Sequence, residues 1–321
     1  MNPSDQRVSV VIPCHTERRW TLLLASVHSV LAQSVSPSEI VVVVDHNPAM
    51  FARARRELDG VTVLENRFQR GASGTRNTGA FHTDTPVIGL LDGDSRAHPG
   101  WLARLIAPFA DADVVGTGGA IVPAWERHQP SWFPGEFLWA VGGSYTGMPT
   151  TTSPTRNVWS ASMAVRRSVF ESVGGFRDGF GKIGNRARPE DTDLCVRMGR
   201  SGGGRWMYVP EALIDHPVAV ECTTFGFFLA RCYNEGRGKI EMARLLSQGG
   251  SLGSEQDYLR RTVPRAVVRG LSGALRGKGV QHAARAGAVL AGVTAAGVGG
   301  ALESLRLRRG TPAAIWNGDG R

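Results

Sequence analysis

The sequence predicts an α/β fold, a mostly parallel Rossmann-like sheet flanked by helices with a helical basic C-terminal segment, and three observations carry that prediction. Strand-like and helix-like segments alternate through the first half of the chain, the order that builds a parallel sheet with covering helices. The strand segments are short continuous apolar runs, as strands buried on both faces require. Acidic residues collect where those runs end, on the side of an open α/β sheet where ligands bind.

Val8 to Pro13 reads as the first strand, and Thr21 to Ala32 as a helix whose Leu23, Val27, Val30 and Leu31 share one face. Ile40 to Val44 is the second strand and ends in the polar cluster Asp45-His46-Asn47-Pro48, and Val61 to Leu64 is the third. Gly71 to Gly79 is predicted to be a loop leading into a short helix, with glycines that allow close backbone approach and Arg76 able to reach a phosphate. Its spacing is neither GxGxxG nor GxxxxGK(S/T), which removes the main support for dinucleotide and P-loop readings. The buried strand Val87 to Leu91 then ends in Asp92-Gly93-Asp94-Ser95. Two carboxylates one residue apart at a strand tip are hard oxygen donors suited to Mg²⁺ or Mn²⁺, which in turn suit a diphosphate. A plain Asp-Gly turn or a helix cap accounts for the same residues.

Trp101 to Ala110 reads as helix and Val114 to Val122 as strand. Residues 123–157 form a long insert rich in Pro, Gly, Thr and aromatics, among them Trp125, Trp132, Phe133, Phe137, Trp139 and Tyr145. Such inserts serve as lids or binding loops, and these rings either stack on sugar faces or pack the lid itself. Asn157 to Arg166 resumes as strand, Ser168 to Val173 is a short helix, and Arg188-Pro189-Glu190-Asp191-Thr192-Asp193 opens a helix with acids in its first turn. Trp206 to Pro210 is a last short strand, followed by His216, and Phe225 to Leu246 is helix. From Ala286 to Leu302 the chain is uncharged and thick with Gly and Ala, which fits an interfacial or packed helix better than a spanning one.

At 321 residues the chain can bury a sizeable core. Residues 260–309 hold ten basic residues against the single acid Glu303, which alone accounts for the formal net charge of +9. A basic tail on a neutral body points to an anionic membrane surface and argues against a nucleic-acid groove across the fold, while a solvated helix face would carry the same charges. Cys14, Cys195, Cys222 and Cys232 have no zinc-ligand or disulfide spacing, which fits a reducing compartment. The N-terminal apolar run is too short for a signal sequence, so a cytoplasmic body, peripheral on the inner face of the cell membrane, is expected.

The ordered set Pro13-Cys14-His15-Thr16-Glu17, Asp45, Gly71 to Gly79, Asp92-Gly93-Asp94 and Glu190-Asp191 resembles the family 2 glycosyltransferases with the GT-A fold, over roughly residues 7 to 240. The matching stretches are VSVVIPCHTE, VVVVDHNP, GASGTRNTG, LLDGDS, SASMAVRRSVFESVGGF and EDTDLCVR. The resemblance implies inverting transfer of a sugar from a nucleotide-diphosphate sugar to an acceptor hydroxyl. Pro13, His15 and Glu17 would line the base and ribose, and Asp45 would accept a hydrogen bond from the base. Asp92, Gly93 and Asp94 would hold the metal and ribose region, with Arg76 near the phosphates and His216 reaching the metal. Asp191, with Glu190 second, would be the catalytic base, although plain N-terminal helix capping also explains that pair. Residues 1–245 would then be the transferase domain and 246–321 a basic helical segment that associates with membrane, with a glycan or lipid-linked acceptor. A strand ending in Asp-x-Asp also describes haloacid-dehalogenase-like phosphohydrolases, but there the motif lies on the first strand. A non-catalytic sugar-binding subunit is a further alternative, which the intact acidic sites argue against.

Overall fold

In the computed structural model, residues 7–178, 180–183, 186–201, 203–245, 258–277 and 279–309 are described. At the centre of the main sheet, β1 (Val8–Cys14) pairs in parallel with β2 (Glu39–Val44) on one side and β4 (Val87–Leu91) on the other, and β2 pairs in parallel with β3 (Thr62–Glu65). The next strand, β8 (Ser162–Arg166), runs antiparallel between β4 and β6 (Val114–Trp125), and β6 pairs in parallel with β11 (Arg205–Val218). Two short strands, β5 (Arg96–Ala97) and β7 (Ser153–Thr155), pair antiparallel with β11. A separate hairpin joins β9 (Gly181–Ile183) and β10 (Arg186–Arg188).

The apolar runs are continuous because alternate residues feed two cores. Val8, Val10 and Ile12 of β1 and Val42 and Val44 of β2 enter one cluster, whereas Val11, Val41 and Val43 enter the other. The first cluster is closed by α1 (Trp20–Leu31), α2 (Pro48–Glu57) and α4 (Trp101–Ile106), through Leu23, Val27, Met50 and Trp101. The second is closed by α3 (Ala72–His82), α5 (Arg167–Ser172) and α6 (Glu190–Ser201), through Ala80, Phe170, Leu194 and Met198. Strands buried on both faces belong in such a three-layer arrangement.

Three predicted elements differ. The glycine-rich stretch is helix α3 rather than a loop, starting directly after Gly71 at φ +128. Glycine serves there for packing: a Cβ at Gly79 would lie 2.4 Å from Val11 Cγ1, so only glycine lets the helix approach the sheet this closely. The strand predicted over 206–210 continues to Val218, so His216 lies within β11, opposite Pro123 of β6, rather than after the last strand. Register shifts in β11 between Val209 and Leu213 absorb the interruption that broke the apolar pattern. The strand before Arg166 begins at Ser162, and residues 157–161 form irregular backbone at the strand tips.

The chain divides into two compact units, Met1–Gln129 with Gly135–Val220, and Pro130–Pro134 with Glu221–Arg321. The second unit is helical, with α7 (Phe225–Leu245), α8 (Val263–Leu275) and α9 (Val280–Arg308). Helices α7 and α9 are drawn together by glycines, since a Cβ at Gly236 would lie 1.9 Å from the Ala296 carbonyl oxygen. Buried Glu303 of α9 is held by Arg237 of α7 at 2.9 Å. The uncharged run from Ala286 is thus part of a 29-residue helix, long and apolar enough by length and composition alone to cross a membrane.

Candidate active site

The Asp92-Gly93-Asp94 segment leaves the tip of β4 in a tight turn, closed by the Ser95 N–H donating to the Asp92 carbonyl at 2.9 Å. The turn reading holds, and the two carboxylates stand one residue apart within it. Gly93 fits because a Cβ there would lie 2.3 Å from the Pro13 carbonyl oxygen; the ends of β4 and β1 touch at this point. Asp92, Asp94 and His216 each offer a ligand atom, all within 4.8 Å of one another. His216 Nδ1 lies 3.7 Å from Asp94 Oδ1 and 3.3 Å from Ser95 Oγ. Its ring also lies 3.2 Å from where a Gly142 Cβ would be. Burial and the neighbouring Asp92 charge push the Asp94 carboxyl above the usual carboxylate range. Two carboxylate oxygens and one imidazole nitrogen, converging at a strand tip, are a donor set that fits a divalent cation.

Arg76 links this cluster to the start of α6. Its side chain is 5% exposed, with Nη2 donating to Asp92 Oδ1 at 2.7 Å and Nη1 lying 3.6 Å from Glu190 Oε1. Asp92, Asp191 and Glu190 together hold it protonated despite its burial. Arg76 Nε and Nη1 are buried and lack a hydrogen-bond partner, as does Asp191 Oδ1. Buried polar atoms without a hydrogen-bond partner are rare in folded proteins, and three of them occur in this cluster.

The acids of the first turn of α6 separate into two roles. Asp193 is structural, paired with Arg197 at 2.7 Å and Arg177 at 3.2 Å. Glu190 and Asp191 face Arg76. Burial, then the Asp191 charge, raises the Glu190 carboxyl to about 7. Burial likewise raises Asp191, opposed by Arg76 and by hydrogen bonds from Ser160.

On the other side of β1, His15 and Glu17 are exposed and Pro13 is half-buried. Asp45 anchors the loop after β3: its carboxylate accepts from Asn66 Nδ2 at 2.8 Å and from the Gly71 N–H at 2.9 Å. Sequence reasoning missed three contributors: Asn66, Ser160, and Arg19, whose guanidinium pairs with Asp94. Asn66 could have been found, being a polar residue at a strand tip. Ser160 and Arg19 carry no local signal.

The model of the glycosyl transferase family 2 matches residues 9–174. The chain belongs to this family. It is a glycosyltransferase, and the phosphohydrolase alternative is not favoured. Glucosyl-dolichyl phosphate glucuronosyltransferase of Haloferax volcanii is 31% identical over 247 residues, covering 75% of this chain and 79% of that protein. The mannosyltransferase PcManGT of Pyrobaculum calidifontis, solved with GDP-Man and Mn²⁺, shares the fold at TM-score 0.53 and 17% identity, covering 97% of this chain and 81% of that one. GalNAc-T7, solved with UDP, GalNAc and Mn²⁺, does so at TM-score 0.54 and 17% identity over 81% of this chain; the match spans 55% of that chain.

Proposed function

We propose that this family 2 glycosyltransferase moves a sugar, with inversion, from a nucleoside-diphosphate sugar to a hydroxyl of a lipid-linked glycan, at the cytoplasmic face of a membrane. The observation that carries this reading is the chain of contacts from Asp94 and His216 through Asp92 and Arg76 to Glu190 and Asp191. On this reading Asp92, Asp94 and His216 serve as the donor-side cation site and Glu190 or Asp191 as the base, with the buried Arg76 in contact with Asp92 and Glu190. The lipid-linked acceptor is supported by the relative that acts on a dolichyl phosphate sugar.

Asp92, Asp94 and His216 would hold Mg²⁺ or Mn²⁺, and the imidazole donor favours Mn²⁺. A divalent cation there would offset the charge that builds on the departing diphosphate. Pro13, His15 and Glu17 at the end of β1 would border the nucleoside, with Asp45 shaping the same wall by holding Asn66 and Gly71 in place. Gly93 keeps that wall tight against Asp92. The spare N–H groups of Arg76 would face the donor phosphates or sugar. Asp191 would take the acceptor proton on its unpartnered Oδ1, while Ser160 holds the carboxylate in position. A carboxyl raised above its usual range is a stronger base at neutral pH. Glu190 is the alternative base and shares the Arg76 charge.

A thermal-shift screen of UDP-, GDP- and dTDP-sugars with and without Mn²⁺ identifies the donor, since a ligand that binds only the native state raises the melting temperature. Asp191→Asn is expected to keep that shift and to lose transfer by about 10²–10⁴-fold. Turnover of Asp191→Asn at the wild-type rate would move the base to Glu190.

A further inference from the structure

Helix α8 packs with its size order reversed. A helix of a water-soluble unit turns its large apolar side chains inward, yet here the buried face is Val263, Ala266, Gly270 and Gly273. The glycines are needed on that face: a Cβ at Gly270 would lie 2.8 Å from Ala286 Cβ, and one at Gly273 would lie 2.7 Å from the His282 ring. Meanwhile Val268 is 65% exposed, Leu271 50% and Leu275 89%. With Pro264, also exposed, these residues follow the i, i+4, i+7, i+11 spacing and form one continuous stripe.

Beside that stripe runs a column of exposed arginines at 261, 265, 269 and 276, the first three one turn apart. No Asp or Glu occurs between residues 258 and 302, whereas Arg260, Arg261, Arg265, Arg269, Arg276, Lys278 and Arg285 all lie there. An outward apolar stripe beside a basic column is the pattern of a helix lying in the plane of a membrane interface, apolar side chains among the acyl chains and arginines at the headgroups. A second copy of the chain suits it poorly. Two such faces meeting about a two-fold axis would bring like-charged columns together, from a stretch that holds no Asp or Glu between residues 258 and 302.

We propose that α8 is an in-plane anchor that docks this protein on an anionic lipid bilayer through Val268, Leu271 and Leu275, with Arg265, Arg269 and Arg276 on the headgroups. This rests on the reading of a lipid-linked acceptor and adds the surface by which the protein reaches it.

Co-flotation of the full chain with vesicles of phosphatidylcholine alone, or with phosphatidylglycerol added, tests it. The wild type is expected to float with the anionic vesicles at moderate salt and to partition into the neutral ones at least tenfold less. Val268→Gln/Leu271→Gln/Leu275→Gln, at exposed positions and with a good helix former, should cut flotation at least tenfold with an unchanged melting temperature. Arg265→Gln/Arg269→Gln should weaken it roughly fivefold per charge removed and flatten its salt dependence. Flotation of the triple variant at the wild-type level overturns the assignment to α8. Absence of wild-type flotation together with a dimer in sedimentation that the triple variant dissolves overturns it in favour of self-association. Donor-induced thermal shifts are read in parallel: intact shifts without flotation strike the anchor alone, and flotation without any donor shift strikes the transferase reading alone.

Discussion

Replacing Arg76 tests the electrostatics of the site most directly. Its side chain is 5% exposed and serves Asp92 at 2.7 Å and Glu190 at 3.6 Å, with Asp191 also within its field. Arg76→Met keeps much of the volume against Phe176, whose ring centroid lies 5.7 Å from the guanidinium carbon, and removes only the charge and its donors. Breaking a buried pair from one side leaves an uncompensated charge and costs about 3–5 kcal/mol. For a unit of this size that corresponds to a fall in Tm of roughly 6–20 °C, at about 2–4 °C per kcal/mol.

The pH dependence separates this cause from lost packing. Arg76 lowers the carboxyls of Glu190 and Asp191, so without it both bind protons more readily in the folded state. The loss should be larger at about pH 8, above the value of about 7 to which Glu190 is already raised, and smaller at about pH 6, because protonation of Glu190 there removes one of the unpaired charges. Arg76→Lys keeps the charge but cannot serve two carboxylates with a planar fork, and should lose roughly 1–2 kcal/mol. Urea denaturation at both pH values, followed by fluorescence of the buried Trp101 and Trp206, reads the difference. A loss under about 1 kcal/mol at the higher pH, or an equal loss at both, would refute the role of Arg76 as the charge that holds the acids together.

The remaining tests address separate parts of the site. His216→Ala should weaken Mn²⁺ binding, measured calorimetrically without substrate, by roughly tenfold or more, and unchanged binding would take His216 out of the ligand set. Glu190 is raised to about 7 from 4.5, so the folded state holds its proton more tightly than the unfolded one. The sign is therefore that stability falls as pH rises from about 4.5 to about 7, by no more than roughly 3 kcal/mol; Glu190→Gln should flatten this slope in thermal melts, and a slope unchanged by the substitution counts against it. Gly93→Ala places a methyl 2.3 Å from the Pro13 carbonyl and should destabilise by about 1–3 kcal/mol; a wild-type melting temperature would mean that the two strand tips part easily.

The parallel half of the sheet was legible in the sequence because its strands are buried on both faces and so carry uninterrupted apolar runs, as Val41 to Val44 and Val87 to Leu91 do. Asp92, Asp94, Glu190 and Asp191 were legible for a related reason: charged residues beside such runs stand out at the strand and helix ends. Helix α3 was not, because its glycines carry a turn signal in any local reading and are justified only by their packing, Gly79 against Val11 and Val43 and Gly74 against Gln69 and Asn66. Arg76 was found as a cation in that stretch, but its enclosure by three carboxylates depends on α6, more than a hundred residues away. Arg19 and Ser160 were missed for the same reason, since each meets its acidic partner only through tertiary packing.

The antiparallel strand β8 explains why the two halves of the site meet. In a sheet of parallel strands only, the residues entering a strand lie at the end opposite the ligand crevice. Because β8 runs against β4, Leu91 pairs with Ser162, and the segment entering β8 lies beside the Asp92 turn. The Asp92 N–H accordingly donates to the Ala161 carbonyl at 3.3 Å, and Ser160 is free to hydrogen-bond Asp191. Helix α3 contributes Arg76 from the second core's face to the same tip, and α6 on that face brings Glu190 and Asp191. The reversed strand thus brings Ser160 to the Asp92 tip, where Arg76 contacts Asp92 on one hand and Glu190 on the other. On the proposed reading that separation serves the transfer, because the charge of a leaving diphosphate and the proton of an incoming alcohol would be received at different places.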